Sequence, residues 1–415
     1  MNENKIDALI RQAVFGPDAE KTAARKEIRS QAAAAGLYPA SIHDLYMAAG
    51  KNAYKDQTVP AINVRGITYD VSRAVFRAIL KNDAAATIFE LARSEMGYTL
   101  QTPDEYVVAV LAAGLREGYS GPVFIQADHT QVNLKKYTAD PASETTAIKN
   151  LVKDAVEAGF YNIDIDASTL VELDKGSLEA EQDKNSSFTA ELTKFIRGIE
   201  PEGVTVSVGG EIGEIGRGNS TVADLDAYMK VYKKYLGEGV EGISKVSVQT
   251  GTTHGGVVLP DGSLASVKID FETLREMGKV AREKYGLGGA VQHGASTLPD
   301  EAFYMFPDVG TLEVHLATGF QNIIYDSKQF PKELTAAIEK QILATYEADR
   351  KAGETDEQLI YKSRKRSFGD FKKELWNLPP AANEAIMQEL EDRFTMMFKA
   401  LRITNTSGLV KKYIA

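Results

Sequence analysis

From residue 58 onward, short apolar runs alternate with longer stretches in which apolar side chains recur every three or four positions. The first texture predicts strands buried on both faces, the second amphipathic helices. Eight runs read as strands: VPAINV (59–64), AATIFEL (85–91), PVFIQA (122–127), YNIDID (161–166), TVSVGGE (205–211), ISKVSVQ (243–249), GAVQH (289–293) and QNIIYD (321–326). Helical patterns such as PDEYVVAVLAAGLREG and ETTAIKNLVKDAVEAG lie between them, and several end in glycine, as helix C-termini do. Strict alternation implies a parallel sheet. Eight units in one stretch of chain fit an α/β (β/α)₈ TIM barrel, and an open doubly wound sheet is the alternative that periodicity leaves standing.

The flanks differ. Residues 1–52 read as a helical extension, with DAEKTAARKEIRSQAAAAG rich in good helix formers and Gly36 as a stop. Residues 53–330 form the barrel, and 331–415 read as a second helical extension. The basic run KSRKR (362–366) reads as solvated surface, with a phosphate contact at a subunit edge as the alternative.

Composition narrows the chemistry. The chain has 415 residues, a formal charge of −10 and no cysteine. The acidic balance argues against a nucleic-acid partner. Any metal must be held by nitrogen and oxygen. No apolar window reaches membrane-spanning length and the N-terminus lacks a secretion signal, so no membrane partner and a cytoplasmic location are expected.

Only five histidines occur, and three of them, His129, His254 and His293, fall at or just past the ends of predicted strands three, six and seven. Those ends converge on one mouth of a barrel. Three imidazoles with an open fourth position make a catalytic zinc site, with cobalt or manganese as substitutes. His43 and His315 fall on predicted helices and read as structural. Asp128, Asp166, Glu211 and Asp326 gather at the same rim, each equally able to cap the following helix. A carboxylate beside a metal can serve as general base. Gly255, Gly256, Gly294, Ser296 and Ser327 follow strands six to eight, where barrel loops bind phosphate through backbone N–H groups and hydroxyls.

In these motifs the sequence resembles class II, zinc-dependent ketose-bisphosphate aldolases, the fructose- and tagatose-bisphosphate group. VPAINV, QADH, DIDAS, VGGEIGEIG, GTTHGG with its downstream LPDGSLASVKIDFETL, QHGAST and IIYDS appear in the family's order between Val59 and Ser327. The resemblance implies Asp128 as catalytic acid/base and His129, His254 and His293 as zinc ligands. It makes Glu211 and Asp166 accessory metal contacts, and gives Gly255, Ser296, Asp326 and Ser327 the phosphate and sugar end. It also implies a homo-oligomer and allows a monovalent cation. Departures stand beside these matches. Ile324 occupies the family's asparagine position, Gly218 and Asn219 fall where loop acids are usual with Glu214 or Asp224 as substitutes, and Ala92 or Ser94 fills the strand-two serine.

The expected reaction is reversible retro-aldol cleavage of a phosphorylated ketose. The same half-reaction would serve a 4-epimerase that keeps and re-adds the aldehyde fragment. A metal-dependent hydrolase and a noncatalytic sugar-phosphate sensor are the remaining alternatives.

Overall fold

The structure, a computed structural model, describes residues 3–213, 218–251 and 269–414. Nine strands occur among them: β1 (Leu37–Ala40), β2 (Val59–Asn63), β3 (Ile88–Ala92), β4 (Gly121–Gln131), β5 (Asn162–Asp166), β6 (Ser207–Glu211), β7 (Lys245–Ser247), β8 (Ala290–Gln292) and β9 (Glu313–Leu316). All pair in parallel, and β2 bonds both β3 and β9 while β4 bonds β5, so β2 to β9 close on themselves. This is the eight-stranded barrel the alternation implied, and closure removes the open-sheet alternative.

Seven strands lie where the apolar runs placed them. The eighth does not. Gln321–Asp326 belongs to a helix, Thr318–Asp326, whose buried Phe320 and Ile324 face the core at helical spacing. The closing strand is β9, drawn from TLEVHLA, in which Leu312, Val314 and Leu316 alternate with Glu313 and His315. A period of two fits a strand with one apolar and one polar face.

The first 52 residues are likewise not wholly helical. Their strand β1 pairs with the start of β4, beneath β5, and Asn162 at the head of β5 accepts from the Ile42 amide and donates to the Ala40 carbonyl. The helix His43–Gly50 that follows inserts Tyr46, fully buried, into the barrel floor. From the other end of the chain, helix Pro380–Ala400 packs on helix Thr68–Asn82, joined by Arg77 donating to Glu391 at 2.7 Å. Both termini therefore brace the barrel rather than hang from it.

The barrel interior is unusually polar. Glu90, Gln126, Asp164, Lys245 and Glu313 point inward from five strands, all buried. Lys245 Nζ lies 3.0 Å from Asp164 and 2.5 Å from Glu313, and donates to Gln126 Oε1 at 2.7 Å. The sequence makes room for this cation at one glycine. A Cβ on Gly209 would fall 2.3 Å from Asp164 Oδ1 and 3.0 Å from Lys245 Cε, so only glycine fits there.

Candidate active site

Strand β4 carries the first site residues through an irregularity. Its register against β5 runs Ala127↔Ile163 and then Thr130↔Ile165, so Asp128 and His129 together oppose one residue. Consecutive strand side chains normally point to opposite faces, and a bulge lets both reach the same cluster. The strain appears at His129, whose φ is +38°.

His129 and His293 meet at the mouth, with Nε2 of the first 2.6 Å from Nδ1 of the second. Their outer nitrogens are engaged: His129 Nδ1 is 3.0 Å from Asp166 and 3.4 Å from Glu211, and His293 Nε2 is 2.9 Å from Ser247 Oγ. Such outer contacts fix ring orientation and tautomer, as they do behind metal-ligating histidines. His129, Glu211 and His293 offer ligand atoms close enough to share one ion. Glu211 is pushed up to about 7, by burial first and then by the Asp166 charge, a crowding that a cation would relieve. Imidazole and carboxylate donors without thiolate suit a borderline divalent ion.

His315, expected on a helix as a structural residue, instead stands on β9 in the middle of this cluster. Its ring stacks on His293 at 4.1 Å, and its Nδ1 lies 2.9 Å from Glu90 and 3.2 Å from Asp128. Its Nε2 is 2.6 Å from Glu313. Burial favours the neutral imidazole, but the surrounding acids, Glu90 once it ionises together with Asp128 and Glu313, outweigh it and hold His315 well above its ordinary value. Asp128 shows the converse. Burial would raise it, yet His129 and His315 hold it well below the usual carboxylate range, in the form that accepts a proton.

Glu90 is pushed up to about 8 from 4.5 by burial and by the Asp128 charge. Folded Glu90 thus keeps a proton that the unfolded chain releases, so stability falls as pH rises between those two values. The slope from this group is at most about 1.4 kcal/mol per pH unit. In urea melts from pH 5 to 8, Glu90→Gln should lose that part of the slope; an unchanged slope would show that Glu90 is already ionised.

These groups open into a cavity of about 880 Å³. Gly294 and Ser296, after β8, with Ala317 and Thr318, where β9 runs into the helix Thr318–Asp326, form part of its wall. Ser296 Oγ accepts from the Gly319 amide at 3.1 Å. Ser94 lines the cavity, as does Ala92. The C-terminal extension lines the cavity too, as its roof, through residues including Lys351, Glu354, Tyr361, Lys362 and Lys365.

Asp326 and Ser327 do not join this wall. They follow from the helix that replaces the expected eighth strand, where Asp326 pairs with Arg364 at 2.5 Å and Ser327 Oγ donates to Glu389 at 2.8 Å. Asp224 is no loop acid either: it accepts from the Thr221 amide and hydroxyl in a helix N-cap. Asn219 donates to Asp270 at 2.8 Å. His254, Gly255, Gly256 and Glu214 lie outside the described residues.

The sequence matches, over residues 40–397, a family described as "Fructose-bisphosphate aldolase class-II". No curated protein sequence matches it. Among solved structures, a probable tagatose 6 phosphate kinase from Sinorhizobium meliloti 1021 superposes with a TM-score of 0.57 at 13% identity, over 86% of this chain and 99% of its own. Fructuronate-tagaturonate epimerase UxaE from Cohnella laeviribosi gives 0.58 at 11% identity, over 84% and 82%. Fructose-bisphosphate aldolase (Fba) from Campylobacter jejuni gives 0.52 at 16%, over 89% and 98%. At such identities the structural likeness is one of fold.

Proposed function

From the premise that the chain belongs to the class-II fructose-bisphosphate aldolase family, we propose that it catalyses reversible retro-aldol cleavage of a phosphorylated ketose. The observation that carries this reading is the meeting of Asp128, His129, His293, Asp166 and Glu211 at one end of a closed barrel. A divalent ion, zinc by preference, held by His129 and His293 with Glu211 and Asp166 beside them and His254 as third imidazole, would supply Lewis-acid polarisation of the ketose oxygens.

The protein's own part is proton transfer and positioning. Asp128, ionised and buried, takes the C4 hydroxyl proton as the C3–C4 bond breaks. The electron pair of that bond stays with the three-carbon fragment as an enediolate, and the other fragment leaves as an aldehyde. His315, 3.2 Å from the Asp128 carboxylate, fixes its orientation and supplies positive charge beside it. Gly294, Ser296 and Thr318 take the phosphate. A homo-oligomer is part of the same reading.

The test is cleavage of phosphorylated ketoses with and without a chelator. Free triose phosphate should appear, vanish on metal removal and return when zinc is restored. Metal-independent cleavage would end the proposal.

One observation favours a second reading. The chain's own C-terminal extension supplies part of the cavity lining, and an added wall beside the mouth suits retention of the aldehyde for re-addition, the chemistry of a 4-epimerase. Trapping the triose separates the two: an epimerase inverts C4 without releasing it.

A further inference from the structure

The basic run Lys362–Arg366 is unevenly neutralised. Arg364 pairs with Asp326 and lies over the Tyr361 ring at 4.7 Å. Arg366 pairs with Asp349 at 2.6 Å, and Lys362 donates to the Asp349 carbonyl at 2.7 Å and contacts Glu354. Lys365 is left over. Among the described residues no hydrogen bond or ion pair engages its ammonium, which lies 5.8 Å from the Tyr98 ring and lines the cavity. Lys351 on the roof and Lys136 on the barrel rim line the same cavity, and no ion pair engages either among the described residues.

Lys365 also faces a cation. Arg65, buried on the rim after β2, is pinned by Glu95 at 3.0 Å and donates to Asn63 at 3.0 Å. Partial desolvation and then the Arg65 charge depress the Lys365 ammonium, although the residue stays exposed to solvent. Exposed ammonium groups without ion-pair partners, lining one cavity beside a guanidinium, make it favourable to an anion. The acids of the cavity fill this role only in part: Glu95 and Glu354 attract Lys365 and Lys351 from a distance but are paired directly with Arg65 and Lys362, and Glu90 and Asp128 belong to the His315 cluster.

We propose that the C-terminal extension completes the substrate site of its own barrel, with Lys365 and Lys351, aided by Arg65 and Lys136, clamping a terminal anionic group of the ketose. This rests on the ketose reading above, in which Gly294, Ser296 and Thr318 take one phosphate, and adds a second anion site, for a phosphate or carboxylate at the end held by the C-terminal extension. The two anions present the same charged oxygens to lysine, so binding must tell them apart.

The experiment is titration calorimetry on the full chain with fructose, fructose 6-phosphate and fructuronate, using wild type, the K351Q/K365Q double variant and K365R. Wild type should bind one anionic ketose at least about tenfold more tightly than fructose, the size expected of charge-assisted hydrogen bonds. Whichever arm is tighter identifies phosphate or carboxylate. The double variant should lose about that factor for the anionic ketose while binding fructose as before, and K365R should retain most of it. Equal affinity of wild type for charged and neutral ketoses, or an undiminished preference in the double variant, overturns the clamp. Preference without any cleavage or epimerisation would instead sink the reaction and leave the clamp standing.

Discussion

Replacing Asp128 with asparagine should lower turnover by about 10²–10⁴-fold on whichever ketose the protein accepts, the range of a lost general acid/base. The amide has nearly the carboxylate's shape, so the bulge in β4 and the contact with His315 should survive. What it lacks is basicity. Because proton removal belongs to the transition state rather than to ground-state binding, kcat should fall while KM moves little. Bound metal, measured by elemental analysis, should be unchanged, since His129, His293 and Glu211 remain in place. Undiminished turnover with full metal would remove Asp128 from the proton path and shift attention to Glu90 or His315, its buried neighbours.

How far the sequence foretold this site depends on which signal each residue left. Asp128, His129 and His293 are legible because they end strong apolar runs and carry motifs. Their meeting at 2.6 Å follows once the barrel closes. His315 was missed for a local reason: TLEVHLA is short and its apolar residues alternate, whereas QNIIYD offers the continuous apolar run expected of a strand in a parallel sheet. Its alternation of Leu312, Val314 and Leu316 with Glu313 and His315 was nevertheless a strand signature. The misplaced strand carried Asp326 and Ser327 with it.

The roof left weaker traces still. Nothing in KSRKR distinguishes Lys365 from its neighbours, because the difference lies in partners far along the chain, Asp326 and Asp349 for the arginines and Glu354 for Lys362. The polar barrel interior was hidden in the same way. NIDID, SKVS and EVH each place inward polar residues at every second position, a pattern that on one strand suggests a solvated face. Only closure makes it a buried charge network joining floor to mouth, from Tyr46 through Glu313 to His315 and Asp128.

That network gives the largest stability effect expected of a single side chain. Lys245→Met keeps most of the volume but removes the ammonium held between Asp164 and Glu313, all three side chains being buried. Breaking a buried pair from one side strands the remaining charges, and the cost is about 3–5 kcal/mol. Sign and pH follow from linkage. In the wild type, burial opposes ionisation of Glu313 but Lys245 and His315 outweigh it and hold the carboxyl low, so its contribution is present above the unfolded value and lost on acidification. Without Lys245 only His315 opposes the burial, so Glu313 rises, and Asp164, already pushed up to about 6 by burial in the wild type, rises further. The folded form then keeps protons that the unfolded form releases, and stability is lost as pH rises. Chemical melts should therefore find the variant closest to wild type near pH 5 and furthest from it near pH 8, with Glu313→Gln added to Lys245→Met recovering part of the loss. A variant within about 1 kcal/mol of wild type at every pH would mean that the carboxylates beneath the site hold their charge without a lysine.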